Sequence, residues 1–410
     1  YSSMLYPIAG AEEMYNGTGD ESGLGVDTSD DKTIVFNLKE PCAYFEQLFV
    51  LPVYMPTHRE LQTETNGDWA MGNDMDALVS CGPYYLAEYV PNQYSVYKKN
   101  ENYVQADRIK TDTIKKMVMD DTQSIINAYK SGELNFISAD YTVMDEYKDS
   151  DELITSPAMT SYYVLFNVNE APFDDVRVRQ AFSMAVNRDE VASACGSSYE
   201  ASDFFVAKHL KSSASGKDWA EEVEEDPIGF DPDKAKELLA EAGYPNGFEF
   251  TLDCPNNRYI NDEAIGKALA GMWAKIGVKV KVNAIPRANY FPKVLRYDSS
   301  VGMVGWGAST QDALFPLQSL VETVDVKKGN GLSNIGRVSD PELDALIEKI
   351  KEEENFDKRN ELIEQALLRV NKNIYVLPLH TQVINWALKK NIDAPLRADD
   401  RLELDKVVVK

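Results

Sequence analysis

The chain has 410 residues, 44% hydrophobic and 27% charged, the profile of a soluble globular protein long enough for two or three domains. Its formal charge of −25 speaks against nucleic acid, whose backbone calls for clustered Lys and Arg, and disfavours docking on anionic lipid. No run of about eighteen apolar residues is available to span a membrane, and no charged-then-apolar signal segment opens the chain.

Residues 1–79 begin with a polar, glycine-rich stretch, N-G-T-G-D-E-S-G-L-G, which reads as a loop. An alternating strand follows over 33–38, then a turn at Lys39-Glu40-Pro41 and a short helix over 44–50. Cys81-Gly82-Pro83 restarts a β-rich segment with strands over 84–90, 94–98 and 113–119. A helix over 121–129 is closed by Lys130-Ser131-Gly132-Glu133, and a strand returns over 134–137. This alternation is of the α/β kind.

The stretch 161–191, S-Y-Y-V-L-F-N-V-N-E-A-P-F-D-D-V-R-V-R-Q-A-F-S-M-A-V-N-R-D-E-V, is the most informative. Tyr162 to Phe166 is an unbroken apolar run, as a strand buried on both faces reads. Residues 167–172 carry turn chemistry. Asp174 or Asp175 can then cap a helix whose Val178, Ala181, Phe182, Ala185 and Val186 share one face. Downstream, Asp231 with Pro232 starts a helix that Gly243 ends. Strands over 248–252 and 278–282 flank a helix over 260–276, and amphipathic helices span 341–350 and 358–370. Strand character returns at 377–380, 383–388 and 407–409.

Catalytic motifs are missing. There is no H-E-x-x-H, no G-x-S-x-G and no complete phosphate loop or dinucleotide fingerprint, so neither an enzyme nor a cofactor is expected. Chance carboxylate pairs among 67 Asp and Glu carry little weight for glycoside chemistry. Cys42, Cys81, Cys195 and Cys254 form no C-x-x-C, which argues against a zinc or redox site; separate buried thiols are the simpler reading.

The segment 161–191 resembles the hinge-crossing segment of the family 5 extracellular solute-binding proteins, the peptide receptors of ABC importers. Four further stretches agree in the family's order: residues 30–56, 81–103, 128–137 and 230–252. The resemblance covers nearly the whole chain. It implies a two-lobed α/β periplasmic-binding-protein-like fold (class II, cluster C type) with a hinge and an interlobe ligand cleft. By that pattern 1–79 is a small subdomain of lobe 1, 80–163 the lobe 1 sheet domain, 164–376 lobe 2, and 377–410 a return to lobe 1. It also implies that this chain begins part-way into the family's pattern, its N-terminal part missing. The location implied is extracytoplasmic, periplasmic or tethered at the cell surface as a lipoprotein. The partners implied are a short peptide and the permease subunits of an ABC importer, with the receptor a monomer. That compartment would permit a Cys42–Cys81 disulfide as the alternative to free thiols.

For the ligand site, Val301 to Leu317 reads as a strand ending in small and polar residues around one Trp. Trp306 suits core packing, but Gly305 and Gly307 leave the backbone bare beside it, which suits close approach of a ligand main chain. In the family a tryptophan, two residues and an aspartate recur here, the aspartate pairing with the α-ammonium of the peptide. The same count lands on Ser309, which offers only a neutral hydrogen bond, and Asp312 is the nearest substitute carboxylate. Tyr162 and Tyr163 at the first crossing, His380 and Gln382 at the second, and Arg287 as a carboxylate partner complete the expected set. No metal is expected. The Ser309 departure keeps a non-peptide solute open (a nickel complex, a glycan or a glutathione-like molecule), and a secreted hydrolase is the more distant alternative.

Overall fold

A computed structural model describes residues 2–65, 68, 78–195, 199–223, 228–256, 258–259, 261–308, 310–398 and 403–410. The chain divides into two compact units. The first comprises Tyr1–Met55 with Pro157–Val383, and the second Pro56–Ser156 with Ile384–Lys410.

In chain order, β1 (Val26–Asp30) and β2 (Thr33–Phe36) make an antiparallel hairpin in the first unit. The second unit holds the antiparallel sheet of β3 (Tyr84–Val90), β4 (Tyr94–Lys99) and β5 (Thr113–Met117), whose apolar face packs Tyr84, Ile109 and Ile114 with Tyr97 and Tyr103. There β6 (Phe136–Ser138) follows the helix Thr122–Ser131, capped at its start by Asp121 through Ser124 N. The strand β7 (Leu153–Phe166) carries the chain into the first unit.

The first unit is built on β7, β8 (Glu200–Ala201), β9 (Glu249–Pro255), β10 (Lys279–Ile285), β11 (Val301–Gly307) and β12 (Val376–Leu388). Its strand order is β10-β9-β11-β7-β12, with β8 on β12. Strands β10 and β11 both run parallel to β9, whereas β7 runs antiparallel to β11. The βαβ crossover from β9 through the helix Asp262–Ala274 to β10 is what allows parallel neighbours.

One sheet face is sealed by an aromatic core. Phe166, Phe173 and Phe182 pack with Phe248, Phe250 and Trp273, and the Trp273 indole N–H donates to the Phe182 carbonyl at 3.1 Å. Asp175 caps the helix Val176–Met184 by accepting from Arg177 N at 2.8 Å, and Val178, Ala181 and Phe182 are its buried stripe. That helix stops at Met184, and a separate one, Arg188–Cys195, follows. The helix Pro232–Glu241 starts at Asp231, whose carboxylate accepts from Lys234 N at 2.9 Å.

In the first unit Leu48 and Leu51 cluster with Phe315, and Trp306 packs against them. Residues 1–55 thus group with 157–383 in one compact unit. Cys42 and Cys81 are both free thiols, so the alternative of a Cys42–Cys81 disulfide is corrected. Nor are all the cysteines buried: Cys254 is, Cys42 is half-buried, and Cys81 is exposed.

Candidate functional site

Strand direction places the candidate site. Because β9, β10 and β11 are parallel, Pro255, Ile285 and Gly307 all end at one edge of the sheet. The segments that follow, with Tyr259, Arg287 and Asp312, therefore leave from that same edge. In open α/β sheets ligands bind outside such carboxyl ends.

The β7–β11 register sorts the predicted side chains. Val304 lies opposite Tyr163, Gly305 opposite Tyr162, Trp306 opposite Ser161 and Gly307 opposite Thr160. Directly opposed residues share a face and consecutive ones alternate. Tyr163, Ser161 and Trp306 therefore lie on one face, and Tyr162, Gly305 and Gly307 on the other.

On the first face Met159, Ser161, Tyr163, Trp306, Ala308 and Leu320 line a crevice of about 10 Å³, room for about one water molecule. Tyr163 is fully buried there, and among the described residues its hydroxyl has no hydrogen-bond partner. An orphaned buried hydroxyl is costly, so a polar ligand atom or a water at this point would be stabilising. Trp306 is half-buried and packs against the cluster of Leu48, Leu51 and Phe315. It thus serves as core packing and remains accessible. A larger hollow of about 280 Å³ in the same unit shares Tyr44, Leu48 and Phe315 with this aromatic group.

On the second face Tyr162 is buried and donates its hydroxyl to Asp262. Asp262 Oδ2 also accepts from Tyr259 N at 2.8 Å. Burial pushes the Asp262 carboxyl up to about 6, against the opposing pull of those hydrogen bonds. The His380 ring lies 5.1 Å from Tyr162 and 4.9 Å from Tyr199. Burial lowers His380 to about 4, so it is a neutral imidazole at pH 7. Gln382 is half-buried, with its amide nitrogen 3.1 Å from where a Gly305 Cβ would stand. The structure thus brings Tyr162, His380, Gln382 and Gly305 together.

A family model described as "Bacterial extracellular solute-binding proteins, family 5 Middle" matches residues 3–328. The chain belongs to that family. Among curated proteins it is 25% identical over 386 residues to a protein named as a probable deoxycholate-binding periplasmic protein of Escherichia coli, covering 93% of this chain and 70% of that one. It is 24% identical over 407 residues to the oligopeptide-binding protein OppA of Bacillus subtilis, covering 96% of this chain and 72% of the relative. The substrate-binding domain of an oligopeptide ABC transporter from Bacillus anthracis superposes with a TM-score of 0.80 at 21% identity, covering 100% of this chain and 80% of that structure. Such a likeness establishes the two-lobed α/β fold. Among the described residues, no helix is long and apolar enough to cross a membrane.

Within this family 5 chain, the remaining expected residues divide. Ser309 lies outside the described residues. Asp312 does not serve as a substitute ammonium partner here. It is buried, and its two oxygens accept from the Arg359 guanidinium at 2.8 and 3.0 Å, while Oδ1 also caps Leu314 N at 2.9 Å. Buried carboxylates need such satisfaction, and this one is consumed internally. Gly307 is exposed, with Oγ1 of Thr160 2.9 Å from where its Cβ would stand. At Gly305 the corresponding space is held by Tyr259 and Gln382 of the same unit. Arg287 is exposed at the start of the helix Arg287–Leu295 and leaves the same sheet edge, but β9 stands between β10 and β11. Tyr259 and Asp262 escaped the sequence reading. The signal available was an aromatic followed by an acid at the start of a helix, which is too common to single out.

Proposed function

We propose that the protein is the extracytoplasmic substrate-binding component of an ABC importer and captures short peptides for delivery to a membrane permease. The observation that carries this reading is the end of β11: a half-buried Trp306 beside the exposed Gly307, at the carboxyl ends of the parallel strands β9, β10 and β11, in a family 5 chain. An extended peptide can lay its main chain along such a strand end, while roomy contacts accept varied side chains. The similarity to OppA of Bacillus subtilis supports it. Binding without turnover, Tyr163 and Trp306 as contacts on one face, and His380 and Gln382 on the other belong to the same reading, as does tethering as a cell-surface lipoprotein.

A second reading is a non-peptide solute. Ser309, where the family's amine-binding aspartate is expected, favours it, as does the similarity to a protein named as probably deoxycholate-binding. Isothermal titration with a di- to pentapeptide mixture and with deoxycholate separates the two. Heat released with the peptides alone supports the first, and with deoxycholate alone the second.

A further inference from the structure

Two facts meet at Gly305. A Cβ there would stand 2.7 Å from Cε1 of Tyr259, so the ring already lies where a side chain would project. The Tyr259 hydroxyl also donates to the Gly305 carbonyl oxygen at 2.8 Å. The ladder of β11 with β9 is registered at Gly302 and Asp253, whereas its ladder with β7 continues to Gly307. Tyr259 therefore supplies a donor to β11 beyond the point where β9 is registered with it.

The ring is held from several directions. Its centroid is 5.0 Å from that of Tyr162, and the Arg258 guanidinium lies 4.6 Å over it. Its main-chain N–H donates to Asp262, the carboxylate that also receives the Tyr162 hydroxyl. Tyr259 is half-buried.

We propose that Tyr259 is a tethered competitor for the ligand, its hydroxyl holding the Gly305 acceptor that a main-chain N–H of a bound peptide takes by exchange. This rests on the reading that a peptide main chain runs along the end of β11. The exchange makes Tyr259 a specificity residue. A ligand that offers an N–H at Gly305 replaces one hydrogen bond with another. A solute that displaces the phenol without offering a donor leaves the carbonyl unsatisfied and is penalised. Tyr259 thus tilts the site toward amide-bearing ligands and against apolar ones.

The test is calorimetric titration of tetra-alanine into the wild type, Tyr259→Phe and Tyr259→Leu, with a thermal melt of each. Removing the hydroxyl frees the acceptor, so both variants should bind about 2- to 10-fold tighter while melting at a lower temperature. A purely structural tyrosine would lower the melting temperature without tightening binding, and unchanged or weaker binding by both variants overturns the exchange. Should one variant fail to fold, the other decides. The wild type is also titrated with a di- to pentapeptide mixture. If it binds neither probe, the peptide reading itself fails and the exchange falls with it, an outcome distinct from wild-type binding without tightening.

Discussion

Asp312 and Arg359 show how a residue's role depends on what surrounds it. Three residues past Ser309, Asp312 looks like a substitute anchor for an ammonium, yet the chain folds a guanidinium from a later helix onto both its oxygens. That partner is 47 positions away, and no local pattern announces it. Asp312→Ala would leave the buried Arg359 without its carboxylate, with only the Ile350 carbonyl, among the described residues, still accepting from Nε, and should cost about 3–5 kcal/mol in urea unfolding. A loss below about 1 kcal/mol, the scale of an exposed pair, would contradict the pairing. Asp262 gives a pH signature. Its folded-state value of about 6 stands above the ordinary 3.8, so between those limits the folded protein holds a proton that the unfolded chain has released. Its contribution to stability therefore falls as pH rises from about 4 to about 6 and stays lost above that. Asp262→Asn should flatten this part of the curve of urea midpoint against pH. A slope matching the wild type between pH 4 and 6 would show that Asp262 is not the group responsible. Neither Tyr259 nor Asp262 was legible beforehand, because their significance comes from a hydrogen-bond network joining β7, β11 and the segment after β9.

At the scale of elements, legibility followed local punctuation. The helix Pro232–Glu241 was readable because Asp231, Pro232 and Gly243 mark its ends by local chemistry alone, and Asp231 caps it as the sequence implies. Asp231→Ala should lower stability by about 1 kcal/mol, seen as a lower urea midpoint with an unchanged slope. An unchanged midpoint would mean that packing alone holds that end. Strands were harder to bound. Only the apolar run from Tyr162 to Phe166 stood out, yet β7 begins at Leu153 and passes through Ser156 and Pro157, which carry no strand signal. Likewise β12 reads as two pieces, 377–380 and 383–388, because Thr381 and Gln382 interrupt its apolar pattern, although the structure buries Thr381. The helix Tyr141–Tyr147 was missed, although Asp140, which accepts from Val143 N at 3.0 Å, is the kind of cap that could have revealed it.

For the whole molecule, the fold and family were legible because five ordered stretches agree with family 5, and the family model and the superposition with a solved transporter receptor uphold that reading. The division of the chain was less legible. It passes between units at 55/56, 156/157 and 383/384, and residues 1–55 group with 157–383 because Leu48 and Leu51 pack against Phe315, a contact between segments far apart in sequence. Whether this chain retains short peptides unchanged is tested by native mass spectrometry of the purified protein, followed by denaturation and identification of released molecules. One peptide per chain is expected, drawn from a mixture of short sequences or taken up from an added di- to pentapeptide pool. Release of a single non-peptide mass, with no uptake from the pool, would contradict it.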